Sequence, residues 1–352
     1  MQSGEIRRIV GDSSRKLLDT SVPPVRYWLL SEVMAKGRED RVLQRTIDEC
    51  ERYPPRRKLL RDLRQDGTWR IPSGLKESED RGPGPPVGGT YRIMLRNLYN
   101  LLQYRTDLDE GNVRTAVERI LDWQTHDGNI PGSWWNHIPQ PFEDGHALHV
   151  MLRFGLERDP RVRKLMSWLL SIQRPDGGWN IPYCQDVKHL PEYRKMGYRE
   201  FAELMKDPNV RGRYDLDGLA HMPSCIWSTS KVLWGLTLSE GQGRSKAVRK
   251  GGLFLLGKAF QKNMHVDLLP EAENWTIYRY PLYFSGGFSV LDVLTRTDLS
   301  REDKEYVKLI ELLADARGPD GLWGKKDRPH LEREQWISLT ALTILSRYAD
   351  GL

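Results

Sequence analysis

One phrase recurs along this chain of 352 residues and constrains its fold more than any other feature: a Leu-rich stretch, a polar spacer, Asp-Gly, then Trp. It reads LLRDLRQDGTW at 59–69, LDWQTHDGNIPGSWW at 121–135, WLLSIQRPDGGWNIP at 168–182 and LLADARGPDGLWG at 312–324. Asp-Gly ends a helix with a turn, because glycine accepts positive φ without steric cost. The Trp then packs back over the helix end. Gln124 and Gln173 sit three residues before their Asp, within reach of the exposed helix end or the next turn. Repeated punctuation of this kind marks an array of like units. The Asp positions are Asp66, Asp127, Asp176 and Asp320. The long last gap predicts degenerate copies, one near Gln261.

Between the marks, two kinds of helix alternate. Stretches such as NVRTAVERILDWQ, PRVRKLMSWLLSIQ and REDKEYVKLIELLADA carry one charged face and suit an outer layer. Stretches such as GHALHVMLRFGL, CIWSTSKVLWGLTL and EQWISLTALTILSRY are less charged and richer in aromatic and small residues, as expected for burial on several sides. Six inner and five outer helices emerge, and residues 5–19 supply a sixth outer one. Alternating helices that return to their start make an all-α fold, an α/α toroid. We read 1–352 as one domain, with 185–220 an insertion in the third repeat.

Hydrophobic residues make up 39% of the chain, enough for a sizeable core, yet no run approaches the roughly 18 apolar residues of a membrane span. The opening MQSGEIRRIVGDSS lacks the apolar stretch of a signal peptide, so a cytoplasmic location is expected. The net charge of +6 is spread along the chain and mixed with Asp and Glu, as on a solvated helical surface. The sharper reading is attraction to phosphate-bearing substrates or, peripherally, to anionic membranes. No nucleic-acid partner is expected, since no basic stripe accompanies a reader motif.

The QRPDGGW-type phrase at 173–179, with weaker copies at 124–128 and 320–323, resembles the QW repeats of squalene-hopene cyclases, within the terpene cyclase and protein prenyltransferase superfamily. PPVRYWLLSEV followed by a helix and LLRDLRQDGTW also looks like bacterial and archaeal members of that superfamily. The resemblance covers roughly residues 20–350. It implies an α/α toroid acting on an isoprenoid-like or other apolar small molecule in a central cavity, by acid-initiated cyclisation or isomerisation. The alternative is a non-catalytic toroid that binds a ligand or partner. Class II cyclases place an Asp-x-Asp-Asp-Thr-Ala motif at an inner helix start, where one Asp protonates an alkene or epoxide. The nearest match is PFEDGHALH at 141–149, which makes Glu143, Asp144 and His146 the candidate catalytic residues. Gly145 and His146 depart from the Thr-Ala context, and Pro141 stands where the first Asp belongs. Asp144 as the N-cap of a helix starting at Gly145 fits the same residues. Prenyltransferases bind zinc through an Asp-x-Cys and a distant His, and no Asp-x-Cys occurs here.

The insertion carries its own pattern. Cys184 and His189 lie at its start, His221 and Cys225 at its end. If it loops out and back, two Cys and two His can complete a tetrahedral zinc site. Four protein ligands would make the zinc structural, and three plus water would permit catalysis. The competing reading makes Cys225 a small core residue and the histidines ordinary loop residues. Aromatic rings at inner positions would line a cavity, where π-faces stabilise a cation, or simply fill the core. The candidate ligand-binding residues are Tyr27, Tyr91, His149, Trp227, Trp275, Tyr280 and Trp336. His146 and His149 share one helix face.

Overall fold

The computed structural model describes residues 3–72, 89–131, 139–180, 192–193, 195–197, 200–201, 204, 207, 223–263, 272–283, 286–324 and 332–351. Its helices are α1 (Ser3–Thr20), α2 (Pro23–Trp28, running on as a π-helical turn, Leu29–Val33), α3 (Arg41–Glu51), α4 (Pro54–Asp62) and α5 (Thr90–Gln103). They continue with α6 (Val113–Asp122), α7 (Pro141–Arg153), α8 (Pro160–Ser171), α9 (Ile226–Leu236) and α10 (Lys246–Gly257). The last are α11 (Gly287–Leu294), α12 (Lys304–Asp315) and α13 (Glu332–Asp350). Among the described residues there is no strand, only the isolated bridges Pro131–Pro139 and Trp179–Cys225.

The two helix kinds separate as the periodicity predicts. Outer α6 buries one stripe, Val113, Ala116, Val117, Ile120 and Leu121. Inner α11 is buried at every position, and inner α9 at every position but Trp227. Outer helices open on residues whose side chains accept from the first free backbone N–H groups: Asp40 for α3, Asp159 for α8, Ser245 for α10 and Asp303 for α12. The first outer unit after α2 is split. Tyr53-Pro54-Pro55 separates α3 from α4, because proline suits a helix start but not its interior.

The Asp-Gly turns explain the architecture. Gly67, Gly128, Gly177 and Gly321 all have positive φ. Each also presses on the next outer helix. A Cβ would lie 2.8 Å from Ala116 Cα of α6 at Gly67, 2.7 Å from Lys164 O of α8 at Gly128 and 2.7 Å from Lys250 O of α10 at Gly177. Gln124 Nε2 donates to Gly128 O and to Arg161 O of α8, both at 2.8 Å. Gln173 Nε2 repeats this with Gly177 O and Ala247 O of α10, again at 2.8 Å. The Trp ties the turn to its own helix: Trp69, Trp179 and Trp323 donate Nε1–H to Leu59, Leu169 and Leu313 carbonyls at 2.9, 2.6 and 2.7 Å. A degenerate copy is expected near Gln261, where the sequence has no Asp-Gly. Trp275 Nε1 donates to Gln261 O at 3.1 Å without an Asp-Gly turn.

The fourth turn lands on α1. Lys16 Nζ donates to Asp320 O at 2.7 Å, and α1 packs along α13. Inside, α5 packs on α7, α7 on α9, α9 on α11, α11 on α13, and α13 on α2 and its π-turn. Trp28 Nε1 donates to Gln103 O at 2.8 Å, joining α2 to α5. The inner ring therefore closes, with the outer helices around it: the fold is an α/α toroid. Most of the 185–220 insertion lies outside the described residues. Its stems are held together, with Ser224 N and Oγ donating to Asp176 at 2.8 and 2.7 Å and Cys225 N to Trp179 O at 3.2 Å.

Candidate functional site

The site is organised by α7. Helix α7 meets α9 with backbones in contact: a Cβ on Gly145 would lie 2.4 Å from Lys231 O, and one on Gly235 2.7 Å from Gly145 O. Glycine at both positions permits this approach. It brings the polar residues of α7 and the rings of α9 into one layer at the centre of the toroid.

At the start of α7 stand the two carboxylates. The helix begins at Pro141 with Gln140 as its N-cap, so Asp144 is not the cap of a helix starting at Gly145. Asp144 lies inside the first turn with no exposure. Its Oδ1 accepts from Ile130 N at 2.9 Å, while Oδ2 has no partner among the described residues. Burial raises its carboxyl well above the ordinary range, and the neighbouring Glu143 raises it further against the one backbone hydrogen bond. Glu143 is buried too but faces a cation, with Arg92 Nε donating to Oε1 at 3.3 Å. The buried Tyr91 phenol is pushed upward by burial and by both carboxylates.

Half-way along α7 lies an aromatic layer. His146 stacks on Tyr283 at 5.3 Å and 25°, and His149 on Trp234 at 3.6 Å and 17°. His149 Nδ1 lies 3.2 Å from Trp234 O, which fixes that nitrogen as the donor in a neutral ring. Burial lowers both histidines, His146 to about 3. Lys231 of α9 is buried, donates a hydrogen bond to Leu282 O and lies 5.2 Å from the Trp234 ring. Burial pulls it down to about 7, against the upward pull of Asp292.

Beyond this layer is a cavity of about 70 Å³. Its rings include Tyr99, Trp234, and Tyr280 stacked on Trp336 at 5.1 Å and 3°. Its far wall is ionic. Asp292 of α11 accepts from Arg296 at 3.1 Å and Arg347 of α13 at 2.8 Å. Arg347 also reaches Glu32 at 3.1 Å, and Glu32 reaches Arg153 of α7 at 3.4 Å. Burial alone would raise Asp292, but the two guanidiniums hold it down at about 2.

The sequence-derived residues divide accordingly. His149, Tyr280 and Trp336 line the cavity. Glu143, Asp144 and His146 lie on the same helix but outside that lining. Tyr27 sits beneath Arg105 at 5.4 Å, Tyr91 against Trp123, and Trp227 against Trp275, so these four candidates pack elsewhere. Arg153, Asp292, Arg296 and Arg347 were missed. Arg153 does follow His146 and His149 on one helical face, a signal visible in the sequence. Cys184, His189 and His221 lie outside the described residues. Cys225 Sγ accepts from Ser228 N at 3.5 Å and Asn263 Nδ2 at 3.2 Å, at the N-cap of α9. Among the described residues no group of three or more His, Cys, Asp or Glu is placed to hold a metal. Nor is any described helix long and apolar enough to cross a membrane.

No protein-family model matches the chain. Over 81 residues it is 35% identical to lanosterol synthase of Candida albicans, a stretch covering 22% of this chain and 11% of that one. Among solved structures it is similar to a protein from Actinoplanes, with a TM-score of 0.47, 12% identity and 98% of each chain covered. It is also similar to the type II terpene cyclase MstE from Scytonema in its apo form, with a TM-score of 0.30, 13% identity, and 88% and 98% of the two chains covered.

Proposed function

We propose that the protein is a terpene cyclase-like enzyme acting on an isoprenoid-like or other apolar small molecule at the centre of the toroid, with Asp144 as its acid. The observation that carries this reading is the state of the Asp144 carboxyl: fully buried, fixed through one oxygen by the Ile130 N–H, with the other oxygen unpartnered among the described residues. Burial favours the protonated form of such a group, which then has a proton to give. Protonation of an alkene carbon by the Asp144 O–H would leave a carbocation and an aspartate. A substrate that reached from Asp144 past the His146 layer into the cavity would carry the cation to the faces of Tyr99, Trp234 and Trp336. Loss of a proton from an adjacent carbon, through intervening groups back to Asp144, would restore both acid and alkene. Glu143, paired with Arg92, would sit beside the acid and disfavour its ionisation.

A second reading, a non-catalytic ligand- or partner-binding toroid, is favoured by the cavity volume. The 70 Å³ space lies well below the roughly 300 Å³ at which small-molecule pockets begin. An isoprenoid would have to displace rings that now stack on one another. In that reading zinc held by Cys184, His189, His221 and Cys225 would pin the insertion. The two N–H groups at the Cys225 sulfur suit a thiolate, and the paired stems bring the insertion back to its own start. Loss of zinc in Cys225→Ala would test that part.

The enzyme reading is tested by incubating the protein with linear polyprenols and squalene and analysing extracts by gas chromatography and mass spectrometry. The expected result is an isomeric product that Asp144→Asn abolishes while binding persists. Binding without product from the wild type would select the second reading.

A further inference from the structure

The Arg153, Arg296 and Arg347 wall sits where an apolar substrate needs no charge. Three guanidiniums pair with two carboxylates, Asp292 and Glu32, along this wall. Of the other titratable groups of the lining, burial keeps His149 neutral and moves the Tyr99 and Tyr280 phenols further from ionisation. The lining therefore carries one positive charge in excess, and Lys231, whose ammonium bonds Leu282 O at its edge, can only add to it.

Its hydrogen bonding is also incomplete. Asp292 Oδ1 takes both arginines, whereas Oδ2 is buried without a partner among the described residues. Arg296 Nε is likewise buried and unpartnered among them. Each guanidinium offers five N–H donors, and the Arg296 side chain is only 18% exposed. Asp292 Oδ2 and Arg296 Nε are both closed off, so a ligand in the cavity would meet only the exposed part of the guanidiniums. Trp28 holds Arg153 in place, with its guanidinium carbon 4.6 Å above the ring.

We infer that this end of the central cavity binds a small monoanionic carboxylate, or the carboxylate head of a larger ligand, against Arg296, Arg347 and Arg153. The planar guanidinium fork matches a carboxylate in geometry. A single carboxylate neutralises the excess charge of the lining itself. The cavity admits a few waters or a group of that size. The Tyr280–Trp336 stack beside it would receive the apolar part of the ligand. The inference is independent of the Asp144 carboxyl, which lies outside this lining, so either can fail without the other.

The test is calorimetric titration of the wild-type chain with sodium acetate and with inorganic phosphate, against chloride at equal ionic strength, repeated on Arg296→Met. The expected result is saturable acetate binding, tighter than phosphate and weakened about tenfold or more by the substitution. Phosphate binding tighter than acetate would overturn the carboxylate assignment in favour of a phosphoryl ligand. Absence of saturable acetate binding, or equal binding by a folded Arg296→Met, would overturn the site. Should the variant not fold, a wild-type crystal structure in acetate decides: density against Arg296 and Arg347 supports the site, and its absence there overturns it.

Discussion

Two aspartates are buried at the centre of this toroid, and they titrate in opposite directions. Asp144 is raised well above the ordinary carboxylate range, while Asp292 is held near 2. Burial is almost the same, and each leaves Oδ2 without a partner among the described residues. The neighbours differ. Asp144 has one backbone N–H and a second carboxylate beside it. Asp292 has two guanidiniums within 3.1 Å. Burial thus supplies the same penalty twice, and the local charges decide whether the group keeps its proton. One region is arranged for an acid and the other for an anion.

The largest effect should come from breaking the ionic side. Asp292→Ala leaves Arg296 and Arg347 facing each other and should cost about 3 kcal/mol or more by denaturant unfolding. A loss below about 1 kcal/mol would mean that solvent screens the network and that the contrast with Asp144 is weak.

Acid should come next. The Asp292 contribution is present above its unfolded value of 3.8 and is lost as pH falls toward 2. His146 is lowered from 6.5 to about 3, so its contribution is present above 6.5 and is lost as pH falls from there toward 3. The melting temperature should therefore drop steadily below pH 6.5, and His146→Gln should flatten that limb first. Asp144 acts in the opposite sense. Its raised value makes its contribution complete below 3.8 and erodes it as pH rises through the folded value.

The smallest loss at neutral pH is expected from Asp144→Asn, which should show none. The amide keeps the shape of the neutral acid and needs no proton taken up on folding, so it should raise stability at pH 7 relative to the wild type and remove the loss above pH 3.8. A large destabilisation at pH 7 would show that the carboxyl is ionised there and would undo the comparison.

The sequence made the periphery legible and the centre only partly so. A turn is a local event, and the Gln, Gly and Trp of each phrase use contacts that follow from short spacing, as Gln173 and Trp179 do. Helix kinds were readable because burial on one side or all sides shapes composition. The start of α7 was misplaced because Pro141 as a first helical residue competes with Asp144 as a cap, and only the backbone decides. The arginine wall was hidden for a different reason. Arg296 and Arg347 fall near the ends of stretches read as buried on several sides, but nothing in their spacing pairs them with each other or with Glu32. Their meeting follows from bringing α11, α13, α7 and the π-helical turn after α2 together, with Arg347 and Glu32 315 positions apart. The same holds for Tyr99, whose neighbours come from α7, α9 and the segment before α11.

The fourth Asp-Gly turn joins the last repeat to the first helix, and this sets an order in time. Helix α1 carries an apolar stripe, Ile6, Ile9 and Leu17, whose cover is α13. During synthesis that stripe emerges early and must wait for almost the whole chain before its partner exists. Helix α2 and its π-turn share that wait, since α13 packs on them too, whereas the other units described meet a neighbour much sooner. Closure is therefore the contact with the longest loop to pay for. Until it forms, the growing chain is an open arc with an uncovered apolar edge, the form most exposed to association with other chains.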